Sequence, residues 1–377
     1  MIDRIYSDLE KLLKPGKIIV LYGPRQAGKT TLINNFLLKT NYKHKFTTGD
    51  NLSTRKVLMS QDLKKINDYA QGYELLIIDE AQRIPDVGWG LKLLVDHNPD
   101  LKIIITGSAS LDLSYKLGEP LVGRMFTYTL FPVSQFELSQ KINGYELRQQ
   151  KEKYLIYGSY PEIIEAENNS QRTQILTELV NTQLLKDIFD LERIKKPKLL
   201  LDLLKLLAFQ VGSEVSLTEL GNTLEVDKKT IARYIWLLEQ VFVLKRVGGF
   251  SRNLRKEITK MDKFYFIDNG VRNAVINNFN NLDTRNDVGL LWENFVLMER
   301  LKKQSYQPIY ANNYFWRTWD QKEVDWVEER DGYLFGYEVK WGRSRSDKSK
   351  NEWLNNYQEA KFEVITSKNY LEFIGRN

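Results

Sequence analysis

The chain has 377 residues, 42% of them hydrophobic and 12% aromatic, which is enough apolar material for packed cores and too much length for one, so two or three domains are expected. It has no cysteine and only His44 and His97 as imidazoles, which excludes a disulfide framework and thiolate metal sites and favours magnesium or manganese held by oxygen over zinc. The formal net charge is +6, concentrated in residues 193–263, where 15 Lys and Arg face 8 Asp and Glu; such a local excess points to a polyanionic partner, with solvated surface lysines as the alternative.

The amino terminus, MIDRIYSDLEKLLK, is charged and helix-like and lacks the apolar core of a signal peptide. The longest apolar runs, at residues 75–78 and 201–207, are too short to span a bilayer. A cytoplasmic protein without a membrane partner is the expectation. Residues 17–22 (KIIVLY) read as a short buried strand, followed by Gly23-Pro24-Arg25-Gln26-Ala27-Gly28-Lys29-Thr30 and then Thr31. This satisfies G-x-x-x-x-G-K-[ST], and the strand before it and the helix-like stretch after it are the context a P-loop requires. The glycines let the backbone turn so that its N–H groups face a phosphate, Lys29 adds charge at the β- and γ-phosphates, and the Thr30 hydroxyl ligates magnesium. ATP and Mg2+ are the expected ligands.

Residues 75–78 then form a fully apolar strand, the pattern of a parallel sheet buried on both faces. Asp79 and Glu80 follow at its carboxyl end, where open α/β sheets bind ligands. Asp79 is the expected magnesium holder, largely through water, and Glu80 the group that polarises the attacking water. A third strand at residues 101–107 ends in Gly107-Ser108. The Ser108 hydroxyl suits a γ-phosphate contact, or equally a helix N-cap at Ser108 or Ser110. Arg124 stands immediately before a β-pattern at residues 125–130.

GPRQAGKT, LLIIDEAQ, IIITGSAS, EPLVGR and TLFPVSQFEL, in this order, resemble a prokaryotic family of AAA-type P-loop ATPases that carry a carboxyl-terminal winged helix and a restriction-endonuclease-like domain. The resemblance extends over essentially the whole chain, including GSYPEII and KFYFIDNG. It implies that Arg124 is an arginine finger acting on a neighbour's nucleotide and that the protein is a homo-oligomer. A structural pairing of Arg124 with Glu119 is the alternative.

Residues 136–198 read as a helical lid and connector. From 199 to 270 the pattern is that of a winged helix-turn-helix. Ser216 and Glu219 form a capping box, and Asp227 caps a second helix on which Ile231, Ile235 and Leu238 share the buried face. Lys229, Arg233 and Trp236 make a separate stripe, although Trp236 also suits core packing. Lys228, Lys229 and Arg233, with Arg252, Arg255 and Lys256 of a basic loop, are the expected DNA contacts, made mainly to phosphates. Docking of a protein partner is the alternative use of this fold.

Residues 280–377 open with a helix carrying Glu293, followed by strands bearing Asp325 and the pair Glu338 and Lys340, with a turn at Asp331-Gly332. Residues i and i+2 of a strand share a face, so Glu338 and Lys340 converge with Asp325 across the hairpin. Three carboxylates and a lysine suit a magnesium or manganese site that hydrolyses phosphodiesters. Their order resembles the PD-(D/E)XK nuclease core, with Val324 where the motif's name has proline. The expected fold class is α/β: a P-loop AAA-type ATPase domain over residues 1–135, the connector, the winged helix and the nuclease-like tail. The expected function is ATP-driven action on structured or branched DNA. The alternative is a nucleotide-switched scaffold whose tail binds protein partners; surface ion pairing of the tail acids is the bland reading.

Overall fold

The computed structural model describes residues 2–108, 120–184, 188, 197–251, 261–318, 321–342 and 347–375. The chain divides into two compact units, one built mainly on residues 2–132 and the other mainly on residues 133–184, 197–239 and 243–375. No helix among the described residues is long and apolar enough to cross a membrane.

The first unit is an α/β layer with a five-stranded parallel sheet. Strands β1 (Ile18–Tyr22), β2 (His44–Thr48), β3 (Leu75–Asp79), β4 (Lys102–Gly107) and β5 (Met125–Thr129) lie in the order β2-β3-β4-β1-β5. β1 and β3 are buried at every residue. Burial on both faces is why their sequences are continuous apolar runs and do not alternate. Their side chains pack with Leu58, Ile66, Leu91 and Leu94 of the covering helices. Edge strands β2 and β5 are partly exposed and correspondingly mixed in composition.

The second unit contains a seven-stranded mixed sheet. Its members are β6 (Glu214–Val215), β7 (Leu244–Gly249), β8 (Asp262–Phe266), β9 (Asn312–Arg317), β10 (Glu323–Arg330), β11 (Tyr333–Lys340) and β12 (Lys361–Thr366), in the order β12-β11-β10-β9-β7-β8-β6. The β10–β11 hairpin turns at Asp331 (φ 54°) and Gly332 (φ 79°), the left-handed pair that two-residue hairpins favour. The three strands of the region read as a winged helix are joined to the four of the tail by parallel pairing of Gly248 with Tyr314 and Gly249 with Phe315. One sheet therefore runs through both regions.

The segments GSYP and FIDNG interlock within this unit. The Asp268 carboxylate accepts the Ser159 N–H at 2.8 Å and caps the helix Asn269–Val275 through the Val271 N–H. Gly158 lies against it in a left-handed conformation (φ 71°), and a Cβ there would fall 1.9 Å from the Asp268 carboxylate. Asn273 completes the lock by donating to the Leu155 and Ile156 carbonyls at 3.1 and 2.8 Å.

Candidate functional site

The loop between β1 and the helix Lys29–Leu37 is wound by its backbone. Gly23 has φ 152°, Gln26 φ 56° and Gly28 φ 94°. A Cβ on Gly23 would lie 2.1 Å from the Leu130 carbonyl oxygen, so glycine is dictated here by close approach as well as by conformation. Lys29 is buried, and its ammonium donates to the Gly23 and Pro24 carbonyls at 2.7 and 2.9 Å. The ammonium is thus held over the loop, within reach of any anion the loop encloses.

Thr30, in the first turn of the helix, donates its hydroxyl to Asp79 Oδ2 at 2.7 Å. The other carboxylate oxygen of Asp79 accepts from the Thr106 hydroxyl, which also accepts the Glu80 N–H at 3.0 Å. A loop, a strand end and a neighbouring strand end are thereby tied at one point. A hydroxyl and a carboxylate 2.7 Å apart beside a phosphate-sized loop are the hard oxygen donors that magnesium takes, and the residues fit that ion. Glu80 is turned out of the strand by a left-handed backbone (φ 52°), so its carboxylate is partly exposed beyond Asp79. Gln82 donates to Glu80 Oε2 at 2.5 Å and to the Ser108 hydroxyl at 3.1 Å, linking the two groups expected to address the reacting water. Thr106 and Gln82 are additions that the sequence reading missed. Both lie within three residues of a motif residue, at a strand end and in a three-residue turn.

Arg124 precedes β5, and its guanidinium forks onto Asp96 of the helix Val87–His97 at 2.6 and 3.2 Å. The alternative partner Glu119 and the alternative cap Ser110 lie outside the described residues. In the region read as a winged helix, Ser216 accepts the Glu219 N–H, and Asp227 accepts the Thr230 N–H and hydroxyl at 2.9 and 2.8 Å. On the helix Lys228–Gln240, Ile231, Ile235 and Leu238 are buried while Lys228, Lys229, Arg233 and Trp236 are exposed. Trp236 is 44% exposed and is not a core residue. Arg252, Arg255 and Lys256 lie outside the described residues.

In the tail, Lys340 reaches Glu338 at 3.0 Å and Asp325 at 3.8 Å, and Asp325 also accepts the Val339 N–H at 2.7 Å. Glu293, on the helix Val288–Tyr306, faces Tyr265 and Lys263 of β8. It accepts from the Tyr265 hydroxyl at 2.8 Å and lies 3.9 Å from the buried Lys263 ammonium, which is itself bonded to Glu323. Burial first, and then the charge of Asp325, push Glu293 up to about 8. Burial likewise raises Asp325, against the pull of Lys340 and Lys263. Among the described residues no group of three or more His, Cys, Asp or Glu side chains is gathered to hold a metal; Asp325 and Glu338 face Lys340, and Glu293 faces Tyr265 and Lys263. Lys263 and Tyr265 were not foreseen, since β8 belongs to the preceding region in sequence and meets Glu293 only through the shared sheet; Glu323, at the start of β10, is drawn in through Lys263.

Residues 15–139 match the AAA domain family. Residues 148–282 match a domain of unknown function, DUF8612, and residues 288–375 another, DUF4143. An uncharacterized protein of Mycobacterium tuberculosis is 26% identical over 335 residues, 88% of this chain and 72% of its own length. An uncharacterized protein of Methanocaldococcus jannaschii is 24% identical over 343 residues, 86% and 74% of the two chains. One from Haemophilus influenzae is 25% identical over 306 residues, 78% and 72%. The chain is thus an α/β protein that carries a P-loop ATPase-like AAA domain and a carboxyl-terminal DUF4143 domain with a mixed sheet, and it resembles uncharacterized proteins of bacteria and an archaeon.

Proposed function

We propose that the protein hydrolyses ATP at the P-loop and uses the nucleotide state to control its action on DNA. The observation that carries the ATPase reading is the Thr30–Asp79–Thr106 junction at the mouth of the loop. It supports that reading because it ties the strand end bearing Asp79 and Glu80 to the helix that begins at Lys29. Bound magnesium supplies positive charge to the phosphates, held by Thr30 and Asp79. Lys29 exchanges the Gly23 and Pro24 carbonyls for phosphate oxygens, and the backbone N–H groups of the loop, Pro24 having none, enclose them. Glu80 accepts hydrogen bonding from the attacking water and orients it, with Gln82 and Ser108 fixing the carboxylate. Arg124 acts on a neighbouring copy's nucleotide once released from Asp96. Hydrolysis per molecule then rises with protein concentration, and a rate independent of concentration refutes that role.

DNA is favoured as the partner because Lys228, Lys229 and Arg233 flank an exposed tryptophan on one helix, a cationic stripe with a ring available for contact. The test is ATP hydrolysis measured with and without single-stranded, duplex, forked and four-way DNA. Stimulation by at least one of these is expected, and a rate indifferent to all of them rejects the reading. A second reading, a nucleotide-switched scaffold on a nuclease-like fold that no longer cuts, is favoured by the lysine pairing of the tail acids. Manganese-dependent cleavage that is lost in Asp325→Ala would exclude it.

A further inference from the structure

A second cluster of charge lies farther along the same tail helix. The helix Val288–Tyr306 carries Arg300 and Lys303, which line a cavity of about 440 Å³ together with Arg330, Tyr337, Glu363 and Glu372. Arg300 forks onto the fully buried Glu328 at 2.6 and 2.8 Å and donates to the Phe373 carbonyl at 3.0 Å. Arg330 shares the same carboxylate at 3.0 Å. One acid therefore serves two guanidiniums. Lys303 is only 5% exposed, and no described residue offers it a carboxylate. Its ammonium rests on the Phe373 and Glu372 carbonyls at 3.3 and 3.5 Å, which is long for a charged donor.

Buried cations are ordinarily paired; here Arg300 and Arg330 share Glu328, Asp331 lies 3.6 Å from Arg330, and Lys303 rests on backbone carbonyls. Both guanidiniums also lie over aromatic rings, Arg300 4.5 Å from the centre of Phe373 and Arg330 3.8 Å from that of Phe335. We propose that this cavity binds a phosphate monoester, the dianionic group of a free mononucleotide or of a 5′-phosphorylated DNA end. A doubly charged tetrahedral anion matches two guanidinium edges and an ammonium better than a single carboxylate does. Burial and then the charge of Arg300 push Lys303 down to about 8, against the pull of Glu328. Glu363 and Glu372 also line the cavity, and acceptors of this kind suit the hydroxyl or amino donors of a nucleoside. Bare inorganic phosphate is accordingly the weaker ligand.

The inference stands apart from both the P-loop and the tail acid cluster, and its test is arranged to separate them. The full chain carrying Lys29→Met, which disables phosphate capture at the P-loop, is titrated calorimetrically with deoxyadenosine 5′-monophosphate. In a second arm it is titrated with one oligonucleotide bearing either a 5′-phosphate or a 5′-hydroxyl. Saturable binding of the mononucleotide, or a preference of at least roughly tenfold for the phosphorylated oligonucleotide, is expected, and the arm that responds identifies the source. Adding Lys303→Met should remove that binding or preference, and adding Arg330→Gln, at a more exposed position, should weaken it while the melting temperature is kept. Absence of both signals, or signals unchanged in the two double variants, overturns the proposal.

Discussion

Replacing Lys29 by methionine keeps the volume of the side chain and removes its charge. In the free protein the ammonium donates to the Gly23 and Pro24 carbonyls, and both carbonyls belong to a loop whose shape is already fixed by its left-handed glycines. Stability should therefore change little. Binding should change a great deal. A charge-assisted hydrogen bond is worth about 1.5–3 kcal/mol, and a unit charge 4 Å from a phosphate oxygen adds about 4 kcal/mol at an effective dielectric near 20. Giving up two carbonyl bonds to make these contacts offsets part of that sum. A net loss of about 2–4 kcal/mol remains, which weakens Mg-ATP binding about 30- to 1,000-fold. Fluorescent ATP-analogue titration and calorimetry both read this quantity directly. A variant that binds ATP within threefold of the parent would show that the nucleotide lies elsewhere, and the role given to this loop would be wrong.

Three further outcomes follow from the same geometry. Glu80→Gln should bind ATP as the parent does and lose at least about 100-fold in turnover, because only the orientation of water is removed; steady-state phosphate release with near-parent rates would reject the assignment. Lys229→Glu with Arg233→Glu should weaken DNA binding on every sequence and flatten its salt dependence, read by fluorescence anisotropy across a salt series; an unchanged slope would make this helix a protein-docking surface. Asp287 would be raised by burial, but ion pairs with Arg285 and Arg272 outweigh that and hold it at about 2. A carboxylate lowered on folding stabilises above its unfolded value and loses that contribution as pH falls from about 4 to about 2, so Asp287→Asn should cost about 2 kcal/mol at neutral pH and nothing below pH 2. Chemical denaturation at pH 7 and pH 2 checks both limits, and an equal cost at both would refute the ion-pair account.

The P-loop, the acids after β3 and the tail hairpin were legible in the sequence because each is fixed by local chemistry. Gly23 and Gly28 mark turns, continuous apolar runs mark buried parallel strands, and Asp331-Gly332 marks a two-residue hairpin. What escaped was adjacency between distant segments. Gly248 and Gly249 carry no side chain to announce a strand, yet in the fold they are strand residues whose backbone pairs with β9. β2 carries the sequence HKFTT and is partly exposed along its length, so it has no apolar run to announce it. Asp96 and Lys263 offer nothing to distinguish them from surface charges until the chain places one against Arg124 and the other between Glu293 and Glu323.

Those unforeseen neighbours bear on how the tail can be dissected. A cut between residues 270 and 280 looks natural from composition and would release residues 280–377 as a fragment. In the fold, the cut strips β9 of its β7 neighbour and exposes a strand edge. It also strips Glu293 of the Tyr265 hydroxyl and the Lys263 ammonium, and Glu299 of the Gln135 N–H it accepts. Leaving a buried acid without its partners costs about 3–5 kcal/mol, a large share of the stability of any domain this size. Residues 280–377 alone should therefore show no cooperative thermal transition, whereas residues 133–377 should melt as one unit. Circular dichroism melts of both fragments decide it. If residues 280–377 unfold cooperatively near the temperature of the longer fragment, the shared sheet contributes little, and the tail is a separate domain that happens to touch its neighbour.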